Sequence, residues 1–268
     1  MEEIAFLQSE ISKRYGKIKR ARGCFLYTES GIRLTDLYLE GGRAILGWGG
    51  SQAFSDFKNV LSRGLTGSFN TIYLYRLKKA ISDLLNDDFF VDVFLSKEIA
   101  LKLANTFFPN NFVVWKPWIP YNNLKMKSAL ILEPPLAWGT PFCFLLHKSD
   151  ELKNNSSFLG QTTFVPPALE AAFCRSLYDL KNAILVRKEK DWFVFDKIIK
   201  DYWIRKGPYL YPKENIVCES DWKSFVQHCL DCCIVVNPCY SEPSIVPCGA
   251  EISVFKKLIK NPFSSAEK

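Results

Sequence analysis

Histidine and cysteine are the side chains of this sequence best suited to metal binding, and they concentrate towards the C-terminal end. The segment HCLDCC (228–233) is followed by Cys239 and Cys248. On a helix Cys229 and Cys232 would face one side, and thiolates together with an imidazole suit Zn²⁺. The spacing matches no two-knuckle zinc pattern, however, and buried structural cysteine is far commoner. No metal site is therefore predicted here.

Proton transfer or amine chemistry would have to come from the other histidine or from a lysine. His147 ends an apolar segment, and a general base also needs a nucleophile and a pocket, so we interpret it as a surface or strand-end histidine. Lys125, Lys127 and Lys148 each carry an amine that could form a Schiff base. Lysine is usually a solvated surface group, which makes this the weaker interpretation.

The composition predicts a folded scaffold for these side chains. The chain has 268 residues, of which 48% are hydrophobic and 15% aromatic, enough to bury a sizeable core. No apolar run reaches the roughly 18 residues of a membrane span, and the first 16 residues predict an amphipathic helix rather than a secretory signal. Nine cysteines, an odd number, favour reduced thiols. A cytoplasmic protein without a membrane segment is expected.

The net charge of +7 is spread along the chain, with one dense basic group between residues 13 and 22. We interpret that group as a solvated helix end, so nucleic-acid binding is not expected. Contact with nucleic acid or anionic lipid at this group is the weaker alternative.

Helical periodicity alternates along the chain with short apolar strands, which predicts an α/β fold. A hairpin is predicted at 23–38, and a strand at 89–95 runs into a helix at 96–107 with Ser96 as its N-cap. Further strands are expected at 129–132, 141–146 and 233–236. Further helices are expected at 2–15, 53–64, 71–85, 167–187, 191–203, 220–231 and 250–260.

Four segments carry recognisable motifs, in order. They are RARGCFLYTESGIRLTDLYLEGGRAILGWGG (20–50), VFLSKEIALKLANTFF (93–108), a segment from Gly139 to Leu177 that contains GQTTF (160–164), and WKSFVQHCLDCCIVVNPCYSEPSIVPCGAEISVFKKLI (222–259). Together they resemble the class III (fold-type I) pyridoxal-phosphate (PLP) aminotransferases. Leu46-Gly47-Trp48 stands where that family usually has Leu-Gly-His.

The resemblance implies where a cofactor phosphate would lie. In the family a Ser-Gly turn opens a helix whose amides hold this phosphate, and a threonine of the G-T-T-F loop reaches the phosphate of the partner subunit. Ser96, Thr162 and Thr163 are therefore the implied, vestigial cofactor-binding residues. Glu98, in the first turn of that helix, would repel a phosphate.

The groups that perform transamination in the family have no counterpart here. The family's lysine lies seven residues before the proline of G-x-P, which the resemblance places at Pro134, and proline has no amine for a Schiff base. No Asp-Glu-Val segment supplies an acid for the pyridinium nitrogen. The arginine that binds the substrate carboxylate falls on Ser244, which cannot form a bidentate clamp.

The sequence therefore predicts a reduced PLP-dependent transferase fold, with a large α/β domain and a C-terminal small α/β domain. The domain boundaries are expected at 1–50 (N-terminal helix and hairpin of the interface segment), 51–203 (large domain) and 204–268 (small domain). Four aromatic residues lie in the middle region, where the resemblance implies that part of the sheet has been deleted, and we interpret them as filler of the apolar faces left uncovered. They are Trp115, Trp118, Tyr121 and Trp138, and pocket lining is the alternative.

The resemblance implies a homodimer whose function is that of a non-catalytic, aminotransferase-like binding or interaction module, a pseudoenzyme. No catalytic residue and no bound PLP are expected, although a small-molecule ligand could occupy the vestigial cleft. The alternative is a PLP-dependent aminotransferase-type enzyme, or a new reaction in the old cleft, that uses a relocated lysine.

Overall fold

The computed structural model describes residues 2–121, 124–149, 152 and 155–264, which form a mixed α/β protein. The first elements of the chain are α1 (Glu2–Tyr15), β1 (Ile18–Arg22), β2 (Phe25–Thr28), β3 (Arg33–Asp36), α2 (Ser51–Leu61), α3 (Ile72–Leu85), β4 (Phe90–Phe94), α4 (Lys97–Phe107) and β5 (Phe112–Val114).

The remaining elements run from the middle of the chain to its C-terminal part. They are β6 (Ala129–Leu132), β7 (Cys143–His147), α5 (Ser156–Leu159), α6 (Pro167–Val186), α7 (Lys190–Phe193), α8 (Asp196–Ile199), β8 (Trp203–Lys206), β9 (Tyr209–Pro212), α9 (Trp222–Asp231), β10 (Ile234–Val235), β11 (Ser244–Ile245) and α10 (Lys256–Lys260). None of the helices in the described ranges is long and apolar enough to cross a bilayer.

The chain divides into two compact units. The first combines Met1–Gly49 with Arg187–Lys268, and the second is Gly50–Val186. The first division lies one residue from the boundary expected after residue 50. The second lies before residue 203, so the segment 187–203 groups with the C-terminal part of the chain.

The second unit is built around a four-stranded sheet in the order β4-β7-β6-β5. Its two central strands, β6 and β7, are buried on both faces, and their side chains alternate between two cores. Leu130 and Leu132 pack with α2, α3 and α6 on one face, whereas Ala129 and Ile131 pack with α4 and α5 on the other. The result is a three-layer arrangement in which every strand residue of β6 and β7 is buried.

The first unit holds two sheets. One has the order β1-β2-β3-β10, and its β2–β3 pair confirms the hairpin predicted at 23–38. β10 joins parallel to β3, so a strand from the C-terminal part completes a sheet begun near the N-terminus. The other sheet, β11-β9-β8, is antiparallel.

Asp36 ties the end of β3 to the Leu-Gly-Trp segment. Its buried carboxylate accepts hydrogen bonds from the backbone N–H groups of Tyr38 (2.9 Å) and Leu39 (3.0 Å) and from Nε1 of Trp48 (2.7 Å). Burial raises the pKa of this carboxyl to about 6, against the three donors, which lower it. Trp48 itself is held by two backbone hydrogen bonds with Gly23.

Three sequence predictions about elements were wrong. The helix expected at 191–203 is two short helices followed by β8, because Trp203–Lys206 pairs with Tyr209–Pro212 across a tight turn. The basic group is a helix end only as far as Lys13 and Arg14, which lie in the last turn of α1, because residues 18–22 form β1. The helix expected at 250–260 is a 3₁₀ turn followed by the short helix α10.

Candidate functional site

Three strands of the central sheet end at one edge. β4, β5 and β6 run parallel to one another and β7 runs antiparallel to them. The carboxyl ends of β4 and β6 therefore lie on the same side, separated by β7. Adjacent strands are roughly 4.8 Å apart, so the two ends are roughly 10 Å apart, within reach of two long side chains. We refer to this side as the carboxyl edge.

The predicted phosphate-binding residue Ser96 lies at this edge, between β4 and α4. Its backbone is extended and its Oγ accepts a hydrogen bond from the backbone N–H of Ile99 (3.2 Å), so Ser96 is the N-cap, as predicted. Hydrogen bonds from the backbone N–H of Glu98 and from the Ser96 hydroxyl lower the pKa of the Glu98 carboxyl. The positive end of α4 thus already holds a carboxylate of its own chain.

The side chain of the neighbouring residue, Lys97, extends along the carboxyl edge to the residue that follows β6. Its Nζ lies 3.3 Å from a carboxylate oxygen of Glu133, and both side chains are about three-quarters buried. Glu133 follows the last residue of β6 and immediately precedes Pro134. The position that the resemblance assigned to a catalytic lysine therefore has proline at the backbone and an ion pair beside it.

The GQTTF loop also reaches the carboxyl edge. The backbone N–H of Thr163 donates to the carbonyl of Val93 in β4 (2.8 Å), and the Oγ1 of Thr162 donates to the carbonyl of Leu159 (2.8 Å). The fold thus brings this loop beside the strand that leads into Ser96. The Thr162 hydroxyl therefore forms a hydrogen bond within a local turn of the chain.

These residues do not fit PLP in the way the resemblance implies. The serine hydroxyl caps its own helix, a carboxylate lies where the phosphate would be placed, and the Thr162 hydroxyl has an internal acceptor. Residue 134 offers no amine. A site that binds a dianionic phosphate keeps its helix amides available for that anion.

The lysines and the histidine singled out from the sequence lie elsewhere. Lys127 and Lys148 flank the starting end of β6 and the final end of β7, which is the side opposite the carboxyl edge. Lys148 donates to Asp87 (2.6 Å), and Lys127 to the carbonyl of Asn110 (3.4 Å). The side chain of Lys125 lies outside the described residues.

His147 is a strand-end residue, as expected, but it is not on the surface. Only 1% of it is exposed, and its Nε2 lies 2.8 Å from a carboxylate oxygen of Asp92. The rings of Phe90, Phe108 and Phe158 surround it. These contacts define a core histidine on a sheet, away from the carboxyl edge.

The cysteine-rich segment packs as part of the first unit. Cys229 is fully buried in α9, and Cys232 is nearly so. Nε2 of His228 hydrogen-bonds with the carbonyl of Asn261 (2.9 Å). Among the described residues no group of three or more His, Cys, Asp or Glu side chains is arranged to hold a metal ion.

Ser244, the counterpart of the substrate-binding arginine, is a structural residue. It is 1% exposed, and its Oγ accepts a hydrogen bond from the backbone N–H of Asn237 (2.9 Å). A serine at this position carries no positive charge with which to bind a carboxylate.

Sequence reasoning missed Lys97. The residue follows Ser96 directly, so its place beside the implied phosphate site could have been found from the motif alone. Its partner could not, because Glu133 is brought to Lys97 only by the order of strands in the sheet.

The solved structures that this chain is similar to include several aminotransferases. Ornithine δ-aminotransferase of Plasmodium falciparum matches 96% of this chain and 97% of its own, with a TM-score of 0.64 and 11% identity. An omega-transaminase of Sphaerobacter thermophilus matches 94% of both chains, with a TM-score of 0.65 and 9% identity. Acetylornithine aminotransferase of Elizabethkingia anophelis matches 94% of this chain and 98% of its own, with a TM-score of 0.62 and 12% identity. The chain therefore has the fold of the PLP-dependent aminotransferases, as the resemblance predicted.

The sequence relatives define a narrower group. A protein of Borreliella burgdorferi is 34% identical over 92% of both chains, and one of Treponema pallidum is 28% identical over 90% of this chain and 92% of its own. Both are described only as uncharacterized proteins. The chain belongs to the same family as the Borreliella burgdorferi protein. No protein-family profile matches the chain.

Proposed function

We propose that this protein is a non-catalytic, shortened member of the aminotransferase fold that acts as a binding or interaction module. The observation that carries the proposal is Pro134 at the end of β6, flanked by the ion pair of Glu133 with Lys97. Transamination needs an amine that first holds the cofactor and then moves a proton at the substrate carbon. A proline at that position can do neither.

The phosphate side of the site supports the same conclusion. A cofactor phosphate at the start of α4 would lie against the carboxylate of Glu98, and two like charges in contact repel each other. Breaking the hydrogen bond between the Ser96 hydroxyl and the backbone N–H of Ile99, so that this N–H could bind the phosphate, would cost a further ~1 kcal/mol of stability. The module therefore has no PLP as a resident cofactor.

A cytoplasmic homodimer is part of this proposal. The GQTTF loop ends in Phe164, half of which is exposed, and Phe69, Ile72 and Tyr75 are exposed at and before α3. Symmetric pairing would remove such apolar surface from water. Light scattering tests the assembly, with two chains per particle as the expected result.

Absorbance spectroscopy tests the loss of the cofactor. Titration with PLP should give only the spectrum of the free aldehyde and its weak adducts with surface lysines, without a saturable Schiff-base band at one site per chain. The melting temperature should not rise with cofactor concentration, because a ligand that binds the native state stabilises it. A stoichiometric band together with a thermal shift would contradict the proposal.

A relocated lysine is the second candidate, and Lys97 is the residue that favours it. Its Nζ lies at the carboxyl edge beside Glu133, so an amine is present on the side of the sheet where the resemblance places the cofactor. If the protein is an enzyme of this kind, Lys97→Met abolishes any saturable band and Lys148→Met leaves it unchanged. The latter also removes one lysine, but on the opposite side of the sheet.

A further inference from the structure

The second unit contains a basic cavity that lies apart from the carboxyl edge. Its volume is about 320 Å³, which is within the range of roughly 300–1,000 Å³ typical of small-molecule sites. It is formed by α2, α3 and α6, and none of its lining residues belongs to the ends of β4 or β6. The lining residues include Asp56, Asn59, Val60, Arg63, Tyr73, Arg76, Ala171, Cys174, Arg175 and Tyr178.

Three arginines line this cavity. In the part of the chain that the structure describes, Arg63 donates to the neutral Tyr73 hydroxyl (3.1 Å) and Arg76 lies over the Tyr73 ring, 5.5 Å from its centroid. Arg175 forms an ion pair with Asp179 (2.9 Å). Among the lining residues named, three arginines stand beside one acidic residue, Asp56. Two further carboxylates lie behind the wall, those of Asp179 on Arg175 and of Asp83 on the Tyr178 hydroxyl.

Arg175 has a second donor without an acceptor. Its Nε is buried and has no hydrogen-bond partner among the described residues, although its terminal nitrogen reaches Asp179. Buried polar groups are nearly always hydrogen-bonded, and leaving a charged donor unpaired costs more than leaving a neutral one unpaired. The Arg175 side chain as a whole is 42% exposed, so its guanidinium group is open to the cavity and to solvent.

We infer that this cavity is a binding site for a small molecule that carries a phosphate group. Guanidinium groups bind phosphate through paired, charge-assisted hydrogen bonds, and three arginines line this one concave surface. Val60 and Ala171 are buried and supply an apolar wall for the body of the ligand. This site goes beyond the proposed function, because it needs neither PLP nor the carboxyl edge.

Calorimetric titration tests the inference on the full chain, with inorganic phosphate and phenyl phosphate as probes in a low-salt buffer free of other oxyanions. Both probes should bind saturably at one site per chain, and phenyl phosphate should bind more tightly because its ring meets the apolar wall. Added salt should weaken both. Arg175→Gln should weaken binding at least about tenfold, since it removes a charge-assisted donor.

The matched control is Lys102→Gln, an exposed position on α4 that removes the same charge and lines no part of the cavity. It should change affinity less than about twofold. If Arg175→Gln does not fold, as judged by circular dichroism, Arg63→Gln takes its place with the same expectation. Absence of saturable binding, or equal weakening by the control and the cavity variant, overturns the inference. PLP plays no part in this readout, so the outcome is independent of the proposed loss of cofactor.

Discussion

Replacing Trp48 by phenylalanine should destabilise the protein more at pH 8 than at pH 5. The change removes the indole N–H that donates to the buried Asp36 carboxylate at 2.7 Å. A hydrogen bond to a charged group contributes about 1.5–3 kcal/mol and one to a neutral group about 0.5–1.5 kcal/mol. The free energy of unfolding of the variant is therefore expected to be about 2–3 kcal/mol below that of the wild type when Asp36 is ionised. When Asp36 is protonated, this difference should be about 1 kcal/mol smaller.

The direction follows from the pKa of Asp36, which burial raises from 3.8 to about 6. The native state binds this proton more readily than the unfolded chain, so stability from this group is greatest at low pH and falls as the pH rises between these values. Removing the Trp48 donor raises the native pKa further. The variant therefore loses additional stability as the pH rises from about 6 to its own, higher pKa.

Urea denaturation followed by circular dichroism at both pH values measures the effect, and Trp222→Phe is the matched control. Nε1 of Trp222 donates to a neutral carbonyl, that of Asn237 (3.1 Å), so its loss should cost the same at either pH. For each variant, the change in unfolding free energy relative to wild type is compared between the two pH values. Titrating groups that the substitution does not affect contribute equally to variant and wild type, so their contributions cancel. A Trp48→Phe loss that is equal at the two pH values, or larger at pH 5, would refute the reasoning.

Three further changes test other parts of the structure. Ser96→Ala should cost about 1 kcal/mol in urea denaturation, because Ile99 loses its N-cap acceptor, while Ser96→Asp should restore most of it. Phe173→Ala should cost about 3–5 kcal/mol, since this ring is fully buried against the sheet, and a loss below 1 kcal/mol would contradict the described core. Glu170→Gln should stabilise by on the order of 1 kcal/mol at pH 8 and by little at pH 5. Burial raises the Glu170 pKa from 4.5 to about 7, so its charged form is costly above that pH; a variant less stable than wild type at pH 8 would count against this assignment.

Local patterns in the sequence were enough to predict much of the second unit. The alternating strand at 89–95, the Ser96 cap and the apolar run of β6 each correspond to an observed element, because each rests on contacts within a few residues. Trp115 and Trp138 also pack against the core, as the filler interpretation expected.

Elements that depend on distant partners could not be predicted in this way. The strand β1 has no apolar alternation, and it forms because β2 offers it an edge. Residues 191–203 have a helical pattern, but pairing with β9 draws Trp203 into a strand. The contact of Lys97 with Glu133 joins residues far apart in the chain, so only the strand order of the sheet reveals it.

The most direct test of the central claim is to map covalent adducts after reduction. The protein is incubated with PLP and then with borohydride, which fixes any Schiff base, and the modified lysines are located by mass spectrometry. The account predicts scattered, substoichiometric labelling of exposed lysines, equal in wild type and Lys97→Met. One fully labelled lysine at the carboxyl edge, lost in Lys97→Met and kept in Lys148→Met, would contradict it.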